Sequence, residues 1–86
     1  MREERIGEKL RKIVVRYERG RVEPLYFQWG TRDFHVRVLN SHWIDRMTRP
    51  VRYFFSVTAD SGEVFLLSYR EGETVWYLDS LIVNGR

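Results

Sequence analysis

Pro24-Leu25-Tyr26-Phe27-Gln28-Trp29-Gly30-Thr31-Arg32-Asp33-Phe34-His35-Val36-Arg37-Val38-Leu39 is the stretch that decides the fold class. Before Gly30-Thr31, Leu25, Phe27 and Trp29 alternate with Tyr26 and Gln28; after it, Phe34, Val36 and Val38 alternate with Asp33, His35 and Arg37. A strand turns successive side chains to opposite faces, so this period of two specifies two half-buried strands, and the short Gly-containing link makes them an antiparallel hairpin. Phe34, Val36 and Val38 are expected in the core, with His35 and Arg37 outside. Pro24 suits the first position of its strand, where a missing N–H donor is tolerated.

The pattern extends in both directions. Upstream, Ile13, Val15 and Tyr17 alternate with Lys12, Val14 and Arg16 in a strand from Leu10 to Tyr17, followed by a turn at Glu18-Arg19-Gly20-Arg21. Downstream, strands at Val51 to Thr58, Glu63 to Tyr69 and Val75 to Val83 are joined by turns at Asp60-Ser61-Gly62 and Glu71-Gly72-Glu73. Two segments depart from it. Residues 1–9 read as irregular or as a helical turn, with Ile6 and Leu10 four apart and Glu8 four before Lys12. Asn40 and Ser41 are N-cap types, Trp43, Ile44 and Met47 fall on one helical face, and Pro50 ends the run, so a helix of one or two turns is expected there. Ile44 and Met47 on that helix would seal one end of the sheet.

The expected fold is therefore mainly β: one domain over residues 1–86, a small, strongly bent antiparallel sheet or open barrel of about six strands, with one short helix between strands three and four. A ferredoxin-like sandwich would need two helices of normal length. Composition agrees: Val, Ile, Phe, Tyr and Trp supply 27 of 86 residues against a single alanine, Ala59. With 43% hydrophobic residues and a net charge of +3, the chain is ordered, and its longest apolar runs, Ile13-Val14-Val15 and Leu81-Ile82-Val83, are far short of the ~20 residues of a membrane helix. The start of the sequence shows no apolar signal-peptide core and cysteine is absent, so the expected location is cytoplasmic.

Charge is divided along the chain. Residues 1–52 hold 13 Lys+Arg and 7 Asp+Glu, residues 53–86 hold 2 and 5, and 13 of the 15 cations are arginine, whose planar fork suits phosphate and stacks on bases. If the first four strands are neighbours, Lys12, Arg16, Tyr26, Arg32, His35, Arg37, Arg52 and Phe54 form a face of cations interleaved with rings, the chemistry of a single-strand nucleic-acid platform. Outward strand positions are polar in any case, and a solvated face is the plainer account of the same residues. Catalytic motifs are missing. Ser41, His42 and Asp45 lie close together, but no nucleophile elbow accompanies them, and helix-capping chemistry accounts for Ser41 and Asp45. Two histidines without cysteine or H-x-x-x-H spacing give no metal site, and phosphate-binding glycine motifs are absent. No catalytic residue, cofactor or small-molecule substrate is expected.

Pro24 to Val36, Trp43, Tyr53-Phe54-Phe55-Ser56-Val57, Gly62 to Leu67 and Trp76-Tyr77-Leu78 together resemble a family of small uncharacterised bacterial domains, over about residues 24–83. Its pattern is a proline, an aromatic-x-tryptophan, a Gly-x-Arg hairpin, a distal tryptophan and a closing W-x-L strand. The family occurs alone or appended to polymerases like the error-prone Y family, so the resemblance implies a DNA-repair setting and assigns no site residues. Here the fifth strand reads Val64-Phe65-Leu66-Leu67-Ser68-Tyr69-Arg70, where relatives more often have an aromatic-x-leucine followed by an acidic turn. The sequence thus reads as a non-catalytic binding module for nucleic acid. The rival is a protein-interaction or homodimerisation module that uses the strands Val51–Thr58 and Glu63–Tyr69, which are apolar on both faces.

Overall fold

A computed structural model of the protein describes residues 2–83; residue 1 and residues 84–86, the ends of the expected domain, lie outside the described residues. Seven strands run in chain order: β1 (Arg2–Lys9), β2 (Lys12–Glu18), β3 (Arg21–Trp29), β4 (Arg32–Asp45), β5 (Arg52–Ala59), β6 (Val64–Arg70) and β7 (Trp76–Val83). All pair antiparallel in one open sheet ordered β1-β7-β6-β5-β4-β3-β2. The meander from β2 to β7 follows from short turns between alternating segments. At the Gly30 hairpin, Tyr26 pairs with His35 and Phe27 with Phe34, and Gly30 takes a φ of 62° that a residue without Cβ adopts freely.

The sheet is rolled. Its two edge strands, β1 and β2, are linked by Leu10 and Arg11 alone, so the edges meet at that corner although no rung joins them among the described residues. The Leu10 N–H donates to the Trp76 carbonyl at 2.9 Å, and the Trp29 indole N–H reaches Glu8 of β1 at 3.2 Å. The smallest dimension is 23 Å, about twice the ~10 Å of one sheet layer. Inside the roll, Phe27, Phe34 and Phe65 meet at centroid distances of 4.7 to 5.2 Å, and Val57, Leu67, Leu78 and Leu81 complete a buried core. Aromatic pairs in such offset and edge-to-face contact contribute about 0.5–1.5 kcal/mol each beyond their buried area.

The expected short helix is absent: residues 40–45 continue β4, which runs 14 residues. One or two turns of helix have no cooperative reserve, whereas the extended chain pairs Ser41 to Asp45 with β5 and stacks Trp43 on Phe54. Asn40 does not cap a helix but bonds to the Thr58 hydroxyl at 2.9 Å. Ile44 lies on the strand and Met47 is 93% exposed in the loop after it, so neither plugs the sheet. The strand count rises from six to seven because residues 2–9 form β1 on β7, with no helical turn. Ile6 packs against the core, and Gly7, at a φ of 69°, sits where the β1–β7 register shifts.

Bulges account for the other differences. Val38 is 46% exposed, against the expectation that it lies in the core, because the register shifts between Val36 and Val38 and returns Leu39 to the inside. A one-residue slip moves every later side chain to the opposite face. A second shift falls between Leu39 and Ser41. On β3, Pro24 does not open the strand but is buried within it, opposite Val15, and Leu25 beside it is pushed outward where the β2–β3 register shifts. Bulged and bent, β4 serves two partners: Arg32–His35 pair with β3, and Val36–Asp45 pair with β5.

Candidate nucleic-acid interface

The division of β4 separates the residues that the sequence assigned to one face. Lys12, Arg16, Tyr26 and His35 do share the outer surface of β2, β3 and the start of β4. The Lys12 ammonium stands 5.6 Å from the Tyr26 ring centre, and the Tyr26 and His35 rings are 5.1 Å apart. This group is largely self-satisfied. Tyr26 donates its hydroxyl proton to Asp33, which raises the phenol above its ordinary value. Arg16 donates to Glu23, holding that carboxyl below the usual carboxylate range and the guanidinium above its own, and Arg21 stands 3.8 Å from the same carboxylate.

Arg37 occupies the register shift of β4, exposed and without an ion pair among the described residues. Arg32 lies apart from all of these, at the hairpin end, stacked 4.7 Å over the Phe34 ring and 3.4 Å from Glu63. Arg52 and Phe54 belong to a second surface. From His35 to Trp43 is eight residues of β4, up to about 26 Å at ~3.3 Å per residue. The eight assigned residues therefore do not form one platform.

The second surface is the outer face of β4-β5-β6-β7-β1, and its register aligns side chains in rows across the strands. One row reads Trp43, Phe54, Ser68, Tyr77, Lys9, and the next, at the strand ends, reads Asp45, Arg52, Arg70. Trp43 and Phe54 are stacked at 5.5 Å with planes 13° apart, and Trp43 is 45% exposed. The Arg52 guanidinium lies 4.8 Å from the Phe54 ring centre, and the Arg70 guanidinium 4.9 Å from that of Tyr77. Three rings and two guanidinium planes thus span four strands, about 14 Å at ~4.8 Å per strand. Beside them a groove of about 420 Å³ runs between β5 and β1, with Phe54 and Leu66 in it and both Glu3 and Arg5 on its β1 side.

Arg52 is committed within this surface. It reaches across Ser68, bonded at 3.0 Å, to Asp79 at 3.1 Å, where a register shift in β7 follows Leu78. Arg52 Nε and Asp79 Oδ2 are buried without partners, so the pair is a half-buried strut. The cations open to a ligand are Arg5, Lys9 and Arg70, which form no ion pair among the described residues. Sequence reading singled out Trp43 as the tryptophan to be partly exposed but placed it on a helix, and it missed Tyr77 as a surface ring and Lys9, Arg5 and Arg70 as flanking charges. The alternation Ser41-Trp43-Asp45 against His42-Ile44 carried the signal for Trp43, but the capping pattern of Asn40-Ser41 outweighed it.

Ser41 and His42 point to opposite faces of β4, and the Asp45 carboxylate accepts the Met47 N–H at 2.9 Å, so these three side chains do not converge. Among the described residues no group of three or more His, Cys, Asp or Glu side chains comes together, and no helix is long and apolar enough to cross a membrane. Comparison with protein-family models, curated proteins and solved structures returns no match.

Proposed function

We propose that the protein is a non-catalytic module that binds single-stranded nucleic acid across the outer face of β4–β7 and β1. The observation that carries this reading is the cross-strand row of Trp43, Phe54 and Tyr77 flanked by Arg70, Lys9 and Arg5. Unpaired bases offer flat π-faces to exposed rings, and each stacked base contributes about 1–3 kcal/mol with little regard to sequence. Cations at the edges of the row follow the phosphates, while Arg52, tied to Asp79, packs its guanidinium against the Phe54 ring and fixes it. The resemblance to domains appended to Y-family-like polymerases fits a DNA-repair setting for such a strand.

The test is fluorescence anisotropy of a labelled oligothymidylate at several salt concentrations. Affinity should fall linearly in log–log with salt, at a slope of about −0.7 per phosphate neutralised. Trp43→Ala should weaken binding without altering that slope, because stacking releases no counterions. Absence of binding at low salt, or binding that Trp43→Ala leaves untouched, overturns the reading.

A further inference from the structure

Where β4 leaves β3 for β5, the sheet is split. The β3–β4 rungs end at Tyr26 and His35, while β3 runs back to Arg21 and β4 on to Asp45. Along Val36–Asp45 one edge of β4 has no strand partner among the described residues, a row of backbone N–H and C=O groups of the kind that pairs with an added strand. Exposed apolar side chains gather on the two lips: Leu25 on β3, and Val38 and Ile44 on β4. Between the lips a cleft of about 230 Å³ opens toward the interior rings of Tyr53, Phe55 and Tyr69, with Arg21 and Val22 on its β3 side. Burial, together with nearby Tyr17 and Tyr53, raises the Tyr69 phenol, as an apolar wall would. That volume is below the ~300–1,000 Å³ of a drug-sized site and suits one large side chain.

Around the split, cations outnumber carboxylates that lack an ion pair. Arg37 and Arg46 stand near the two ends of the unpaired edge without ion pairs among the described residues, and Arg21 faces them from β3. Of the nearby carboxylates, Glu18 and Glu23 are ion-paired with Arg16, and Asp45 accepts the Met47 N–H and keeps its charge.

We propose that the split between β3 and β4 docks an acidic, extended peptide segment of a partner protein, which adds a strand to the free edge of β4 and places one apolar side chain in the cleft. Backbone rungs supply affinity in such docking, and the pocket together with the flanking charges supplies selectivity. This site adjoins the nucleic-acid face, because Trp43 also lines the cleft, but it rests on the free edge of β4 and not on nucleic-acid binding.

The probe is a fluorescein-labelled decapeptide with acidic dipeptides at both ends and threonine alternating with valine and one tryptophan between them. It is titrated into the full chain by anisotropy, and amide hydrogen exchange is read at saturation. We expect saturable binding, with protection gained at backbone amides between Val38 and Asp45. A peptide carrying two prolines at alternate central positions should bind at least about tenfold more weakly, since it cannot donate to the edge. Arg21→Glu with Arg37→Glu should lose about as much, and the matched control Arg2→Glu with Arg11→Glu should lose nothing. Four results overturn the proposal: no binding up to ~1 mM peptide, equal binding of the proline peptide, protection confined to other strands, or displacement of the peptide by oligothymidylate that protects the same β4 amides. The last assigns the split to nucleic acid.

Discussion

Arg52 is the residue whose role the structure changes most, and its removal gives a decisive perturbation. Its side chain is 27% exposed and that of Asp79 is 19% exposed, between a surface ion pair, worth about 0–1 kcal/mol, and a fully buried one, whose breaking costs about 3–5 kcal/mol. In Arg52→Ala, Asp79 Oδ1 loses its partner while Oδ2 already has none, Ser68 loses a hydrogen bond, and Phe54 loses the guanidinium lying over it. A loss of about 2–3 kcal/mol follows, or roughly 10–20 °C in Tm for a domain of this size. The double replacement Arg52→Met with Asp79→Leu removes both charges and keeps the volume, so it should cost less than about 1 kcal/mol. Urea denaturation with an unchanged m-value measures each. A cost below about 0.5 kcal/mol for Arg52→Ala, with a simply additive double variant, rules out a half-buried strut. Arg52 would then be a free cation, available to phosphate as its sequence position suggests.

Further outcomes follow from the same geometry. Phe65→Ala, at the centre of the ring cluster, should cost about 3–5 kcal/mol in urea denaturation, whereas Ile44→Ala, on the lip of the split, should cost less than about 1.5 kcal/mol. Arg70→Ala and Lys9→Ala should each reduce the magnitude of the salt slope of oligothymidylate binding by about 0.7 without preference for any base, measured by anisotropy. Glu23 is held below its ordinary value of 4.5, so the stability it contributes is present above that pH and is lost as pH falls through its lowered folded value. Glu23→Gln should therefore flatten the acid limb of a pH–stability profile. Tyr26 shifts the opposite way: its contribution is present below pH 10.0 and is lost as pH rises through the raised folded value, so Tyr26→Phe should flatten the alkaline limb in the same measurement.

Much of the sheet was legible because alternation and turn chemistry are local. The Gly30 hairpin, the inward Phe27 and Phe34, and the turns at Gly62 and Gly72 all follow from residues within reach of one another, whereas the inward faces of β5 and β6 could not be chosen because both of their faces are apolar. What escaped was non-local. The bulge at Arg37 is set by how β4 must bend to leave β3 and join β5, and that choice alone decides that Val38 faces water and Leu39 the core. The strand character of Ser41 to Asp45 likewise depends on Phe54 and Tyr53 across the ladder, which outweigh a local cap signal. The site shows the same limit. Cations and rings could be recognised as the right chemistry, but their grouping depends on strand order and register. Tyr26 and Phe54 therefore occupy different surfaces, while Trp43 and Tyr77, 34 positions apart in the chain, share one row.

Nitrogen-15 and aromatic-carbon NMR spectra of the full chain, recorded while oligothymidylate is added at low salt, locate the bound strand residue by residue. Shifts should concentrate on the Trp43 indole, the Phe54 and Tyr77 rings and the backbone amides of Lys9 and Arg70, with Lys12, Arg16, Tyr26 and His35 unmoved. Shifts confined to the Lys12–Tyr26–His35 surface, or no shifts at saturating oligonucleotide, would contradict the proposed interface.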